Sequence, residues 1–150
     1  MNDFDFLAGK WNVHNRAQDK WLVGSTNYVE FPGYHEGGVH MDGTISFDEI
    51  VFPTRGKAGV TFRVFNPETE EWSIYWVGSS TGRMDPPVVG RFAGGVGTFV
   101  GDDVYEGRPI KVRFTWDKTD PEHPRWQQEL SDDDGQTWEL NWIMEFSRVE

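Results

Sequence analysis

The residues of this sequence that most often bind metals are its four histidines, His14, His35, His40 and His123. His35 and His40 are five positions apart, so on a β-strand their side chains point to opposite faces. This spacing disfavours a two-histidine metal site. The chain has no cysteine, which excludes thiolate ligands, disulfides and thiol catalysis. We therefore predict no metal site and no bound cofactor.

The other side chains that could do chemistry are polar residues within apolar, alternating segments. A buried polar group must find a hydrogen-bond partner, so polar residues on an inward face can form a binding site. The candidates for such a polar patch are His14, Arg63, Tyr75, Arg91 and Gln128. No nucleophile elbow, phosphate-binding glycine loop or dinucleotide motif is present. The sequence thus offers groups for binding or proton transfer without indicating a particular reaction.

One octet, SDDDGQTW at residues 131–138, resembles the Asp-box of sialidases and other β-propeller proteins. A propeller needs several copies at a fixed period and a much longer chain, whereas this octet occurs once. Its Asp and Gly residues are typical of a hairpin turn. A calcium site at Asp132, Asp133 and Asp134 is the less favoured alternative, because no Glu completes an EF-hand loop. We predict a turn.

The elements that position these residues are β-strands. A short helical turn is expected over residues 4–7, capped by Asn2 or Asp3. After it the sequence alternates with period two, with frequent Gly, Pro, Asn and Asp breaks, as in an antiparallel sandwich or barrel. A glycine-rich stretch at 34–43 is expected to be irregular. The predicted strands cover residues 10–16, 25–31, 44–52, 58–65, 72–78, 88–93, 97–103, 109–117, 125–131 and 138–149.

The inward face is clearest in the last three strands, where an aromatic, apolar face alternates with a charged one. Strand 109–117 is predicted to point inward with Ile110, Val112, Phe114 and Trp116. Strand 125–131 is predicted to do so with Trp126, Gln128 and Leu130. The last strand is predicted to do so with Trp138, Leu140, Trp142, Met144, Phe146 and Arg148. Closing about ten such strands into a barrel removes the sheet edges.

For two central strands the sequence does not decide which face points inward. In 58–65 the inward set is either Val60, Phe62 and Val64 or Thr61, Arg63 and Phe65. In 72–78 it is either Trp72, Ile74 and Trp76 or Ser73, Tyr75 and Val77. The choice decides which polar groups an internal cavity would contain.

The composition limits the kind of partner. The formal net charge is −11, from 25 acidic and 14 basic residues, and this balance would repel a nucleic-acid backbone. Eight Trp, four Tyr and eleven Phe supply ample apolar area for a folded core. No segment resembles a signal peptide or a membrane-spanning helix. We expect a cytoplasmic protein with neither a nucleic-acid nor a membrane partner, in one domain over residues 1–150.

Gly9-x-Trp11, after a helical turn and at the start of the first strand, resembles the G-x-W motif of lipocalins and related calycin barrels. In that superfamily the Trp closes one end of the barrel and an Arg from near the last strand packs on its ring. Arg148 matches that Arg. The chain also resembles bacterial calycin-like families of unknown function, which share starts like FDFLAGKW and ends like DGQTWELNWIMEFSR. The resemblance implies an all-β fold, a single antiparallel up-and-down β-barrel of about ten strands.

Such a barrel implies an internal site for a small apolar or amphipathic molecule, which is the function we expect. The predicted cavity residues are Arg63, Tyr75, Trp76, Arg91, Phe114, Trp116, Trp126, Gln128, Trp142 and Met144. One alternative is a cofactor-free cyclase, isomerase or decarboxylase with Tyr75, Glu49 or His14 as its acid or base. Another is haem, which some calycin-like barrels bind through one His; His14, His35 and His40 are the candidates. A homodimer through an outer strand face is a further expectation.

Overall fold

The structure, a computed structural model, describes residues 1–150, and its regular secondary structure is almost entirely β-strand. Short 3₁₀ turns lie at Asp5–Leu7, Met41–Gly43 and Pro53–Arg55. The strands are β1 (Gly9–Gln18), β2 (Tyr28–His40), β3 (Ile45–Phe52), β4 (Lys57–Asn66), β5 (Glu71–Gly78), β6 (Val88–Ala93), β7 (Val96–Tyr105), β8 (Arg108–Asp117), β9 (Arg125–Ser131) and β10 (Glu139–Arg148).

Each strand pairs with the next one along the chain in antiparallel fashion, and β10 closes the sheet by pairing with β1. The all-β, up-and-down barrel of about ten strands that the resemblance implies is therefore confirmed, with ten strands. Closure satisfies the backbone N–H and C=O groups of both outermost strands, which an open sheet would leave unpaired. None of the helical segments is long and apolar enough to cross a bilayer.

The inward face follows the alternation in β8 and β9, where Ile110, Val112, Trp116, Trp126 and Leu130 are buried. The structure also shows which face of strands 58–65 and 72–78 points inward, which the sequence left undecided. In β4 the inward set is Thr61, Arg63 and Phe65, and in β5 it is Trp72, Ile74 and Trp76. The barrel interior consequently contains a buried arginine, which requires a counter-charge.

The stretch 34–43, expected to be irregular, is mostly regular strand, because β2 continues to His40. Its inward glycines make room for neighbouring atoms. A Cβ at Gly37 would lie 3.0 Å from the carbonyl oxygen of Leu7 and 3.2 Å from Cβ of Asp48. Here glycine serves close packing inside the barrel rather than a break in the strand.

A β-bulge between Leu140 and Trp142 corrects the predicted face of the last strand. Beyond the bulge Trp142, Met144 and Phe146 point inward, as predicted. Before it the two faces exchange, because the extra residue shifts the alternation by one. Trp138, predicted to point inward, therefore lies on the outside of the barrel. The centroid of its ring is 4.2 Å from the guanidinium carbon of Arg113. Leu140 pairs with the outward Glu129, and Glu139 takes the inward position opposite Leu130.

The floor of the barrel is the end where the first and last strands bring Trp11 and Arg148 into register. The guanidinium carbon of Arg148 lies 3.9 Å from the centroid of the Trp11 ring, and its Nη1 donates to the carbonyl of Ala8 at 2.7 Å. Trp11 is fully buried. The turn at Asp5–Leu7 has no side-chain cap; Asp3 instead accepts a bond from Nε1 of Trp72 at 2.9 Å.

Candidate functional site

Side chains leave a cavity of about 230 Å³ inside the barrel. It runs from the buried polar residues above the floor to the opposite end of the barrel, here called the mouth. Most lining residues are apolar, and many are aromatic. The aromatic lining residues are Trp21, Phe52, Trp76, Tyr105, Phe114, Trp116, Trp126, Trp142 and Phe146. Such walls suit a flat, apolar molecule smaller than the drug-sized ligands that fill pockets of ~300–1,000 Å³.

The polar part of the cavity is a cluster of His35, Asp48 and Arg63 from three adjacent strands, here called the interior triad. All three side chains are almost completely buried. Nη1 of Arg63 donates to Oδ2 of Asp48 and to Oγ of Ser46 at 3.1 Å. Nε2 of His35 lies 3.1 Å from the same Oδ2. The Arg63 guanidinium and the Asp48 carboxylate therefore balance each other's charge inside the barrel.

Several polar atoms in this region have no hydrogen-bond partner in the protein. Nε of Arg63 and Nε1 of Trp116 are buried N–H groups without an acceptor. Neither ring nitrogen of His35 makes a bond of good geometry, because the approach of Nε2 to Asp48 is close but poorly directed. A buried donor without an acceptor costs about 1–3 kcal/mol. These groups are therefore strong candidates for contact with a ligand.

Aromatic rings hold Arg63 in place. Its guanidinium carbon lies 4.9 Å from the centroid of Phe4 and 5.5 Å from that of Trp116. Cation–π contacts of this kind are stronger when the cation is desolvated. The Arg63 guanidinium of the interior triad is thus packed against the rings of Phe4 and Trp116.

Acid should weaken the fold through Asp48. Burial raises the pKa of this carboxyl, but the charge of Arg63 and the contact with His35 outweigh burial and lower it from 3.8 to about 2. Because the folded-state pKa lies below the unfolded one, this stabilisation is present above pH ~4 and is lost as the pH falls towards ~2. We expect a loss of about 2 kcal/mol in the free energy of unfolding, measured by urea unfolding at several pH values.

The matched control for this acid effect is Asp48→Asn, which cannot titrate. Its free energy of unfolding should fall less steeply between pH 4 and 2. Asp133, whose pKa the bonds from Thr137 and Ser131 also lower to about 2, keeps its own contribution in both proteins. An equal slope in the two proteins would show that the Asp48 carboxylate is not the group responsible.

The mouth is acidic as well as aromatic. Asp85, Asp102 and Asp103 contribute to the cavity lining near Trp21 and Tyr105, whose ring centroids are 5.8 Å apart. Burial and then the nearby charge of Asp103 raise the pKa of Asp85. The mouth therefore carries negative charge that disfavours entry of an anion.

Residues 19–27, here called the latch segment, connect β1 to β2 at the mouth and place Trp21 and Leu22 against the core. Glu139 holds this segment: its Oε2 accepts the N–H of Leu22 at 2.6 Å and its Oε1 accepts that of Gly24 at 3.0 Å. Leu22 has a φ of 61°, which costs about 1–2 kcal/mol for a residue with a Cβ. The charged hydrogen bonds to Glu139 offset that cost.

Replacing Glu139 by Gln should loosen the latch segment. A bond to a charged acceptor is worth more than one to a neutral amide, so we expect the backbone N–H of Leu22 to exchange about fivefold faster. Hydrogen exchange measured by NMR would test this. Glu49→Gln on the outside of β3 is the matched control and should leave Leu22 unchanged. Equal exchange rates in Glu139→Gln and the unmodified protein would rule out the latch.

Eight of the ten residues predicted for the cavity line it. They are Arg63, Trp76, Phe114, Trp116, Trp126, Gln128, Trp142 and Met144. Tyr75 and Arg91 do not, because they alternate with inward neighbours on β5 and β6. Arg91 instead approaches Glu71 at 3.4 Å on the outside. Gln128 donates to Oδ1 of Asn141 at 3.1 Å, so one of its N–H groups is already used.

The acid, base and haem-ligand candidates fall into two groups, according to whether they line the cavity. His14, His40 and Glu49 are exposed, and none of them lines the cavity. His35 does, beside Asp48. Asp48, Thr61 and Glu139 were not predicted as site residues. The inward-facing glycines on either side of His35 were the available signal for its position, because small residues with period two mark a crowded interior face.

Among known proteins, this chain resembles others in its fold but not detectably in its sequence. No protein-family model matches the chain, and no curated protein matches it either. Among solved structures, the crystal structure of Rv2717c from M. tuberculosis superposes with a TM-score of 0.61 at 11% sequence identity. The match covers 98% of this chain and 95% of that one. At this identity the likeness establishes a shared barrel fold.

Proposed function

We propose that this protein is a calycin-like barrel that binds a small apolar or amphipathic molecule in its interior. The observation that carries the proposal is the cavity of about 230 Å³ walled by aromatic rings, with the interior triad at its inner end. Burying apolar ligand surface there would supply affinity at ~25 cal/mol per Å² before the costs of association are subtracted. The triad would set orientation.

Titration with N-phenylnaphthylamine, an uncharged apolar dye whose emission rises in dry surroundings, tests this function. We expect saturable binding that also quenches the tryptophan emission, since Trp21, Trp76, Trp116, Trp126 and Trp142 line the cavity. Ligands of the natural class would then be found by displacement of the dye.

Two variants of β8 show where the dye binds. Val112→Phe adds a ring on the inward face of β8, where Val112 lines the cavity. Thr115→Phe adds the same ring on the outward face of this strand. We expect about tenfold weaker binding in the first and little change in the second. Equal dye affinity in both variants, or no saturable binding at all, would reject the interior site.

The second candidate function is proton transfer on a ligand held in the same cavity. The position of His35 in the cavity lining favours it, since an imidazole is the side chain most often used as a general base and neither of its ring nitrogens makes a hydrogen bond within the protein. Catalysed exchange of an α-proton of a bound ketone into D₂O, lost in His35→Gln with dye binding retained, would support this activity. Exchange at the uncatalysed rate would reject it for that ketone.

A further inference from the structure

Side chains at the inner end of the cavity carry buried hydrogen-bond donors that the protein does not use. Nε of Arg63 and Nε1 of Trp116 are buried and have no acceptor, and neither nitrogen of His35 makes a hydrogen bond. An arginine Nε and an indole Nε1 can only donate, and a neutral imidazole supplies one further N–H. The side chains that carry these groups all line the cavity. A ligand group that accepts hydrogen bonds is what this end lacks.

The donors belong to one continuous cluster. Arg63 lies over the ring of Trp116 at 5.5 Å. Trp116 and His35 both pack on Phe146, with ring centroids 5.4 Å apart in each case. The three side chains are therefore neighbours in one packed cluster, and several donors held by neighbouring side chains are the usual means by which proteins bind a polarised carbonyl oxygen.

Charge decides which kind of oxygen fits. Arg63 is the only arginine or lysine among the lining residues, and Asp48 already neutralises it. His35, the other lining side chain that can carry positive charge, lies 3.1 Å from the same carboxylate. The other lining charges are Asp85, Asp102 and Asp103 at the mouth, of which Asp102 is paired with Lys111. A carboxylate ligand would pass this acidic entrance and then be buried without a cation of its own, which is costly in a low-dielectric interior. An uncharged acceptor avoids both costs.

We propose that the inner end of the cavity is a subsite for the carbonyl oxygen of an uncharged, flat aromatic ligand, bound by Arg63, Trp116 and His35. The aromatic walls hold the rings and the donors hold the oxygen. This subsite rests on the proposed binding function and names its ligand class as aromatic ketones, lactones or quinone-like compounds, as opposed to fatty acids or other organic anions.

Three ligands of nearly the same shape test the subsite by displacement of N-phenylnaphthylamine. Fluorenone carries the carbonyl, fluorene lacks it, and fluorenecarboxylate carries an anion. We expect fluorenone to bind about tenfold more tightly than fluorene, the effect of satisfying buried donors. The carboxylate should bind more weakly than either. Equal affinity of fluorenone and fluorene, or tightest binding by the carboxylate, would overturn the proposal.

Two tryptophan variants test where in the cavity the carbonyl oxygen of the ligand binds. Trp116→Phe keeps an aromatic wall but removes an unused N–H, whereas Trp142→Phe removes an N–H that Asn15 already accepts at 3.0 Å. The preference for fluorenone over fluorene should fall about fivefold in Trp116→Phe and stay unchanged in Trp142→Phe. An unchanged preference in Trp116→Phe would remove that residue from the subsite.

The outcomes separate this proposal from the binding function. If fluorene and fluorenone both displace the dye with the same affinity, the barrel binds apolar molecules but the carbonyl subsite is wrong. If the dye itself does not bind inside the barrel, the binding function fails as well.

Discussion

Asp48→Ala is expected to lower the free energy of unfolding by about 3–5 kcal/mol, because removing one partner of a buried ion pair leaves the other charge uncompensated. The Arg63 side chain is 3% exposed, so it is shielded from the bulk solvent that would otherwise stabilise its charge. Ser46 would remain as the other acceptor of its Nη1. Urea unfolding followed by tryptophan fluorescence measures the change.

The control is Asp102→Ala, which removes an exposed carboxylate paired with Lys111 and should cost less than about 1 kcal/mol. A second test adds Arg63→Met to Asp48→Ala. Removing the stranded charge should recover a large part of the lost stability, and the double-mutant cycle gives the coupling between the two side chains. If Asp48→Ala lowers the free energy of unfolding no more than Asp102→Ala does, the fold does not depend on the ion pair between Asp48 and Arg63.

Trp11→Ala is expected to cost about 3–5 kcal/mol, the range for deleting a large buried aromatic side chain. Trp11 is fully buried. It packs under Arg148 and beside Phe146, and its Nε1 donates to the carbonyl of Leu7 at 3.1 Å. The substitution would therefore remove the ring and also leave the Leu7 carbonyl without that bond. Thermal or urea unfolding measures the loss.

Trp138→Ala is the matched control, since this tryptophan lies on the outside of the barrel against Arg113. Deleting it removes a cation–π contact and part of an exposed surface, so we expect a cost below about 2 kcal/mol. Comparable losses from the two substitutions would mean that the floor contributes no more to stability than the outer surface.

The alternation of apolar and polar residues was sufficient to predict about ten antiparallel strands, in a sandwich or a barrel, and the inward faces of β8 and β9. The up-and-down barrel itself was implied by the resemblance that Gly9-x-Trp11 and Arg148 carry. Long amphipathic strands specify their register, because a slip by one residue would expose every core side chain. The last strand shows the limit of this argument. Its bulge between Leu140 and Trp142 adds one residue, and no local pattern marks that position, so Trp138 was assigned to the wrong face.

The interior triad was harder to predict for a different reason. In β3 and β4 both faces mix polar and apolar residues, so hydrophobic patterning alone cannot choose between them. Phe47 ends up 41% exposed while Asp48 is 2% exposed, the reverse of the usual preference. The exchange is tolerated because Nη1 of Arg63 on β4 donates to both Asp48 and Ser46 on β3, and such partnerships depend on strand pairing rather than on local sequence.

The pairing of β1 with β10 has a consequence for the order of assembly. The other strand pairs join neighbours along the chain, whereas the bond between Asn15 and Trp142 at this seam spans 127 residues. Bringing such distant segments together costs about 4 kcal/mol of chain entropy, and contacts of this range slow folding. We expect the hairpins to form early and the seam to close late. The interior would then be enclosed, and the cavity completed, only once β1 and β10 have paired.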